Sequence, residues 1–153
     1  MPKNLPLVLL FLFVLRFFDW WVVVSFIRLP GTVAHELCHY FVGLLLNASP
    51  TRIVLWPVRA GNRIVLGEVG FQNLTWYNAA LTGMAPLLLA PVAWSIMSGP
   101  TGSGWHTLLM TWFEAVLLAS AIPSGTDFRV AFRFTAPPLF LVGMCLFWLA
   151  RHG

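Results

Sequence analysis

Long apolar runs, separated by short polar or Gly- and Pro-rich links, dominate this chain. Five of them, at about residues 5–27, 32–46, 76–97, 107–122 and 134–150, have the length and composition of membrane helices. About 20 apolar residues cross the hydrocarbon core of a bilayer as a helix. The second run is short for a complete span, so we expect it to begin inside the membrane or to be tilted. The pattern predicts an all-α membrane protein, a polytopic bundle of about five transmembrane segments.

The link at residues 28–32 is predicted to separate the first two helices. It contains a Pro-Gly pair, which commonly ends a helix, and Thr32 is available to cap the helix that follows. Within the first segment, Arg16 and Asp19 are spaced i, i+3, so we expect the two charges to pair inside the membrane.

Between the second and third segments the pattern changes to two β-prone runs, Arg52 to Trp56 and Arg63 to Leu66. The pair Gly61-Asn62 stands between them and is typical of a hairpin turn. The sequence therefore predicts a small β-hairpin insert between segments two and three. The insert either only caps the bundle or offers its edge to an extended peptide by strand addition.

The composition agrees with a membrane protein. Apolar residues make up 59% of the 153 positions and charged residues only 9%, far from the balance of soluble globular domains. The length suits one domain, which we assign to residues 1–153. The nine basic residues are scattered rather than clustered. We therefore expect the lipid bilayer as a partner and no nucleic acid.

The basic residues also predict an orientation. If the five segments alternate, most arginines and Lys3 fall on one side, with Arg28 and Arg151 on the other. The side rich in Lys and Arg usually faces the cytoplasm. We expect a multi-pass integral membrane protein with a cytoplasmic N-terminus and an N-terminal apolar run that is retained rather than cleaved.

One motif carries candidate chemistry, the sequence H-E-x-x-H at residues 35–39. On a helix, His35 and His39 stand one turn apart on one face, with Glu36 beside them. Two imidazoles at this spacing supply two zinc ligands, and the adjacent carboxylate can act as a base on water. The alternative is a pair of buried histidines satisfied by helix neighbours. Cys38 lies one turn from His35, but a small buried helix residue is the simpler interpretation.

A catalytic zinc site normally takes three protein ligands and leaves one position open. Few titratable groups remain outside the motif to supply the third: Asp19, Glu68, His106, Glu114, Asp127 and His152. Asp127 follows a Pro and Gly break, where an unwound backbone could turn its carboxylate inward. Glu114 lies within the fourth segment and is the other candidate, with Asp127 preferred.

The chain resembles the site-2 protease (M50-type) intramembrane metalloproteases in four features. These are the motif on a membrane helix, the β-prone insert, the Gly-bearing third segment and an aspartate after the fourth segment. The resemblance covers about residues 32–133, and its one specific signature is the five-residue motif. It implies that His35, His39 and Asp127 bind Zn²⁺. It also implies that Glu36 activates water for hydrolysis of peptide bonds in a membrane protein or peptide substrate.

Two features differ from that family. Asp127 precedes Phe128, whereas the family's aspartate usually precedes Gly in a motif with Asn and Pro. The chain also has no room for a PDZ-type domain.

One alternative function is that of a non-catalytic metal-binding membrane protein that acts as a regulatory or scaffold subunit. Another is a transporter or channel subunit that uses Arg16, Asp19 and Glu114 as intramembrane polar groups.

Overall fold

The computed structural model describes residues 4–17, 21–56, 58–60, 63–65, 67–99 and 104–152. This part of the chain is mostly helical and contains a small β insert. In chain order its elements are α1 (Leu5–Phe17), α2 (Trp21–Leu45), β1 (Pro50–Val54), β2 (Val58–Ala60), β3 (Arg63–Val65), β4 (Glu68–Phe71), α3 (Ala79–Gly83), a 3-10 helix (Ala85–Leu88), α4 (Leu89–Met97), α5 (Trp105–Ser120) and α6 (Gly125–His152).

One stretch of the described residues is long and apolar enough to cross a membrane. It lies within Trp105–Arg151, which comprises α5 and α6, and shorter apolar helices occur at Leu5–Arg16 and Ala85–Met97. The C-terminal half of α6 exposes large apolar side chains such as Phe140 and Trp148. A bundle of five spans and a multi-pass topology therefore stay predictions.

Helix α2 is continuous where the sequence predicted a link. The predicted break at residues 28–32 is wrong, because Trp21–Leu45 is one helix with Pro30 inside it. Proline removes one N–H from the helix, and neighbouring helices and Thr side chains can compensate for the lost bond. Thr32 does not cap a new helix, since its hydroxyl donates to the carbonyl oxygen of Arg28 at 3.3 Å within α2.

The glycine in this region serves packing rather than a break. A Cβ at Gly31 would lie 2.6 Å from Cγ1 of Val116 and would also overlap the hydroxyl of Ser120. Gly31 therefore lets α2 approach α5 closely. Asp19 lies outside the described residues, and so does its predicted pairing with Arg16.

The insert between α2 and α3 is built from two antiparallel strand pairs. β1 pairs with β4, placing Ile53 opposite Val69, and β2 pairs with β3, placing Ala60 opposite Arg63. A small β insert is present at the predicted place, but the two predicted runs do not pair with each other. The first run overlaps β1, which pairs with β4, and the second overlaps β3, which pairs with its sequence neighbour β2. The predicted turn residues lie outside the described part.

Strand β4 packs along the C-terminal half of α2. A Cβ at Gly43 would meet the ring of Phe71, and a Cβ at Gly67 would meet the side chain of Glu36. The insert is therefore anchored beside the H-E-x-x-H motif rather than only at the end of the helices.

Helix α5 is at the centre of the remaining helices, and α1, α2 and α4 all pack against it. Small residues such as Ala93 and Ala115 are fully buried in these contacts. The predicted third segment is divided into α3, the 3-10 helix and α4. Helix α3 packs against α6, where a Cβ at Gly83 would lie 2.9 Å from the carbonyl oxygen of Asp127. This contact fixes the start of α6 beside α2 and α3.

Candidate metal centre

The three side chains predicted as metal ligands converge in the structure. The Nε2 atoms of His35 and His39 lie 3.2 Å apart. The carboxylate of Asp127 reaches both rings, with Oδ2 3.4 Å from Nε2 of His35 and Oδ1 3.2 Å from Nε2 of His39. Helix α2 supplies the imidazoles and α6 supplies the carboxylate. Among the described residues, these three form a group that could hold a metal ion.

Backbone carbonyls fix the orientation of both imidazoles. Nδ1 of His35 lies 2.6 Å from the carbonyl oxygen of Ser120, and Nδ1 of His39 lies 2.7 Å from that of Thr82. A carbonyl oxygen only accepts, so Nδ1 is the protonated nitrogen in each ring. In the neutral imidazoles the Nε2 lone pairs are then free, and both face Asp127. Metal-binding histidines typically use their second nitrogen in this way.

The distances between the three acceptor atoms suit a bound cation. Two imidazole lone pairs and a carboxylate repel one another when nothing positive lies between them. A tetrahedral ion with ligands at about 2.0–2.1 Å places neighbouring ligand atoms about 3.3–3.4 Å apart. The two Nε2 atoms lie 3.2 Å apart, which agrees with this value. They lie 3.4 Å and 3.2 Å from different oxygens of Asp127, and one ligand atom from each residue lies within 4.8 Å of the other two, so binding through a single carboxylate oxygen requires a small shift of Asp127. Two imidazoles and one carboxylate also form a donor set that suits zinc better than calcium or magnesium.

Asp127 stands in the first turn of α6, and not on the unwound backbone that the sequence analysis expected. The backbone N–H of Ser124 donates to Oδ2 of Asp127 at 2.6 Å, and the N–H of Asp127 donates to Oγ of Ser124 at 3.2 Å. This reciprocal pair is a capping box, which starts α6 at Gly125 rather than near residue 134. The sequence signal S-x-x-D at residues 124–127 could have located this helix start.

Glu36, the predicted base, is 9% exposed and lies beside the start of β4. A Cβ at Gly67 would lie 2.5 Å from Oε1 of Glu36 and 2.8 Å from its Cδ. Only glycine leaves room for the carboxylate in this position. Sequence reasoning missed Gly67, although a glycine next to a strand often marks a close approach of the backbone to another group.

The other ligand candidates lie apart from this group. Glu114 is 2% exposed on α5, does not line the cavity beside the histidines, and its Oε2 has no hydrogen-bond partner in the described part of the chain. Cys38 is half-buried, packs against an apolar cluster that contains Leu89 and Leu117 and is not part of the ligand group. Glu68 lines the cavity but is not part of the ligand group.

A cavity of about 1170 Å³ contains the three ligands and Glu36 in its wall. One stripe of α2 forms part of that wall. The ends of α1, α3 and α5, the strand β4, the start of α6 and the link before it contribute further lining. This volume is slightly above the range of about 300–1,000 Å³ that is typical of small-molecule pockets. The arrangement brings two imidazoles, two carboxylates and space for a substrate together at one place.

Comparisons with models of protein families, with curated proteins and with solved structures found no match to this chain. The resemblance to the site-2 proteases therefore stays a prediction from the sequence motif.

Proposed function

We propose that the protein is an intramembrane zinc metalloprotease that resembles the site-2 proteases. The observation that carries this proposal is the convergence of His35, His39 and Asp127 in one cavity with Glu36. The first two are fixed one turn apart by α2, and the third comes from the start of α6, far away in sequence. A carboxylate that faces the Nε2 atoms of both rings distinguishes this group from two histidines that are satisfied by helix neighbours alone.

The apolar character of the chain supports the membrane setting. The 59% apolar composition and the exposed apolar side chains of α6, such as Leu146 and Phe147, suit a surface in contact with lipid. In this proposal α6 crosses the bilayer as one of several spans, with the N-terminus in the cytoplasm. The substrate is then a membrane-embedded or membrane-proximal peptide segment.

The reaction we propose is hydrolysis of a peptide bond. Zinc held by the three ligands would polarise the scissile carbonyl and lower the pKa of a water molecule to about 7. Glu36 takes a proton from the attacking water, whose oxygen forms a bond to the carbonyl carbon. The C–N bond then breaks, and Glu36 returns the proton to the leaving amine. The products are one carboxylate and one amine, with one water consumed.

The chain's own groups orient these participants. The carbonyl oxygens of Ser120 and Thr82 hold the imidazoles of His35 and His39 by their Nδ1–H groups. The close approach of Gly67 to Glu36 confines the carboxylate to the cavity. Each contact reduces the reorganisation that the reaction requires.

Strand β4 supports the proposal that an extended peptide is the substrate. A helical peptide bond is shielded by its own hydrogen bonds, so a spanning substrate must unwind locally before it is cut. Within the described residues β4 pairs only with β1, and it begins beside Glu36. An unwound substrate that paired with the other edge of β4 would be held extended next to the base.

The test uses protein reconstituted in lipid vesicles together with a panel of single-span peptides. Fragments are identified by mass spectrometry, and zinc content is measured in the same samples for the wild type and for Glu36→Gln. We expect near-stoichiometric zinc in both proteins and cleavage only by the wild type. Absence of zinc from the wild type contradicts the proposal. Zinc in both proteins with cleavage by neither supports the alternative, a non-catalytic metal-binding subunit.

A further inference from the structure

A basic side chain shares the cavity with the metal ligands. Arg28, His35 and His39 all lie on the stripe of α2 that faces the cavity. Arg28 precedes His35 by two helical turns, which is about 10 Å along the helix axis. Arg16, at the end of α1, lines the same cavity. The proposed reaction uses none of these guanidinium groups.

The guanidinium of Arg28 is incompletely satisfied. Its Nε is buried and has no hydrogen-bond partner in the part of the chain that the structure describes. Arginine carries five N–H donors and remains charged, and a buried charged donor without a partner is costly. The cavity carboxylate of Asp127 cannot serve both sites, since its oxygens face the two imidazoles and the N–H of Ser124. The residue as a whole is half-buried and lines the cavity, so an anion that enters with the cavity's occupant would meet the exposed part of the guanidinium.

We propose that Arg28 binds a carboxylate of the substrate peptide, about three residues away from the bond that is cut. This inference rests on the proposed function, because the scissile bond is placed at His35, His39 and Asp127. An extended chain advances about 3.3 Å per residue, so three residues match the rise of about 10 Å between the backbones of Arg28 and His35. The carboxylate is either an acidic side chain or the C-terminus of the peptide, and a guanidinium binds both by paired N–H donors.

A peptide is a better occupant than a lipid phosphate for this subsite. The same cavity holds the candidate base Glu36, and β4 forms its wall as an extended strand. An extended peptide can therefore reach Glu36 and Arg28 at the same time. The spacing between Glu36 and Arg28 would therefore select substrates that carry a carboxylate at one fixed position from the scissile bond.

Binding to a protein that cannot cut tests the subsite. The protein is Glu36→Gln in lipid nanodiscs loaded with zinc. The probes are fluorescein-labelled Ala- and Leu-rich octapeptides that have Glu or Gln at successive single positions and a free or amidated C-terminus. Fluorescence anisotropy gives Kd. We expect one Glu position, or the free C-terminus, to tighten binding about tenfold.

Adding Arg28→Gln should abolish this preference, whereas Arg28→Lys should keep part of it. Arg133, an exposed residue of α6 outside the cavity, provides the matched control, and Arg133→Gln should leave the preference unchanged. Zinc content of each variant reports that the site is intact. Comparison of probes with a free and an amidated C-terminus shows whether Arg28 binds the C-terminal carboxylate or an acidic side chain.

Equal Kd values for all probes, or a carboxylate preference that survives Arg28→Gln, overturn the inference. Tightening by added anionic lipid without any dependence on the peptide carboxylate also overturns it and assigns Arg28 to a lipid phosphate. These results differ from failure of the proposed function, in which the wild type holds no zinc and cuts no peptide.

Discussion

Gly67 and the side chain of Glu36 are in such close contact that a Cβ at position 67 would displace the Glu36 carboxylate. A Cβ at position 67 would lie 2.7 Å from Cγ and 2.8 Å from Cδ of Glu36. The contact joins the start of β4 to the middle of α2, next to the proposed metal ligands. The glycine therefore determines where the candidate base can lie.

Substituting Gly67 by alanine should reduce cleavage by roughly 10- to 100-fold, because Glu36 must move away from its place in the cavity. Zinc content should remain at the wild-type level, since position 67 meets Glu36 and none of the three ligands. Steady-state cleavage of a peptide and zinc analysis of the same preparation measure both effects.

Gly70 supplies the matched control for this variant because it lies on the same strand. A Cβ there would meet its nearest neighbour, Oγ1 of Thr51, at 3.4 Å, which is close to ordinary contact. Gly70→Ala should therefore cleave at nearly the wild-type rate. Equal losses of cleavage in both variants would show that disruption of the strand, and not the contact with Glu36, causes the loss.

The identity of the third ligand gives a second prediction. Asp127→Asn should weaken zinc binding by at least about 100-fold, because a ligand contributes more than the groups that orient it. Asparagine can still accept the N–H of Ser124, so the start of α6 should persist. Competition between the protein and a chromogenic chelator measures the affinity.

Glu114→Gln is the control for this prediction, since it removes the other candidate carboxylate. Glu114 lies on α5 outside the cavity, so the variant should bind zinc as the wild type does. Loss of zinc in Glu114→Gln with retention in Asp127→Asn would assign the third ligand to Glu114 instead.

The packing of α2 on α5 gives a third prediction. A Cβ at Gly31 would lie 2.6 Å from Cγ1 and 2.8 Å from the carbonyl oxygen of Val116. Gly31→Ala should therefore destabilise the protein by about 1–3 kcal/mol, as overpacking of a tight contact does. It should also weaken zinc binding, because the bond from His35 to the Ser120 carbonyl crosses the same contact.

Thermal unfolding followed by circular dichroism measures this effect, with Gly143→Ala as the control. Among the described residues, none has an atom within 4 Å of a Cβ at Gly143 on α6, and alanine has the higher helix propensity. The control should be as stable as the wild type or slightly more stable. A Gly31→Ala protein with unchanged stability would contradict the close packing of α2 and α5.

Features that depend on short stretches of the chain could be predicted from the sequence. The predictions that were wrong have identifiable physical causes. The positions of His35 and His39 on one helix face and the β insert follow from short-range patterns. The helix boundaries around Pro30 and Asp127 were misplaced. Tertiary contacts override the tendency of Pro30 to end a helix, and the capping box of Asp127 was not recognised.

The contacts between distant segments could not be derived from spacing. The approach of Gly67 to Glu36 and the bonds from the imidazoles to the carbonyls of Ser120 and Thr82 all depend on how β4, α3 and α5 pack against α2. A sequence pattern contains no information on these distances. The sequence favours Asp127 because it follows a Pro and Gly break. In the structure Asp127 reaches the histidines from the first turn of α6 and not from an unwound backbone.

The zinc K-edge absorption spectrum of the purified protein in lipid tests the metal centre most directly. We predict one zinc per chain, with two imidazole nitrogens at about 2.0–2.1 Å, a carboxylate oxygen at about 2.0–2.2 Å and one further oxygen from water. In Asp127→Asn protein loaded with excess zinc, the carboxylate contribution should disappear. A wild-type protein that binds no zinc, or zinc whose spectrum shows no imidazole ligands, would contradict the account.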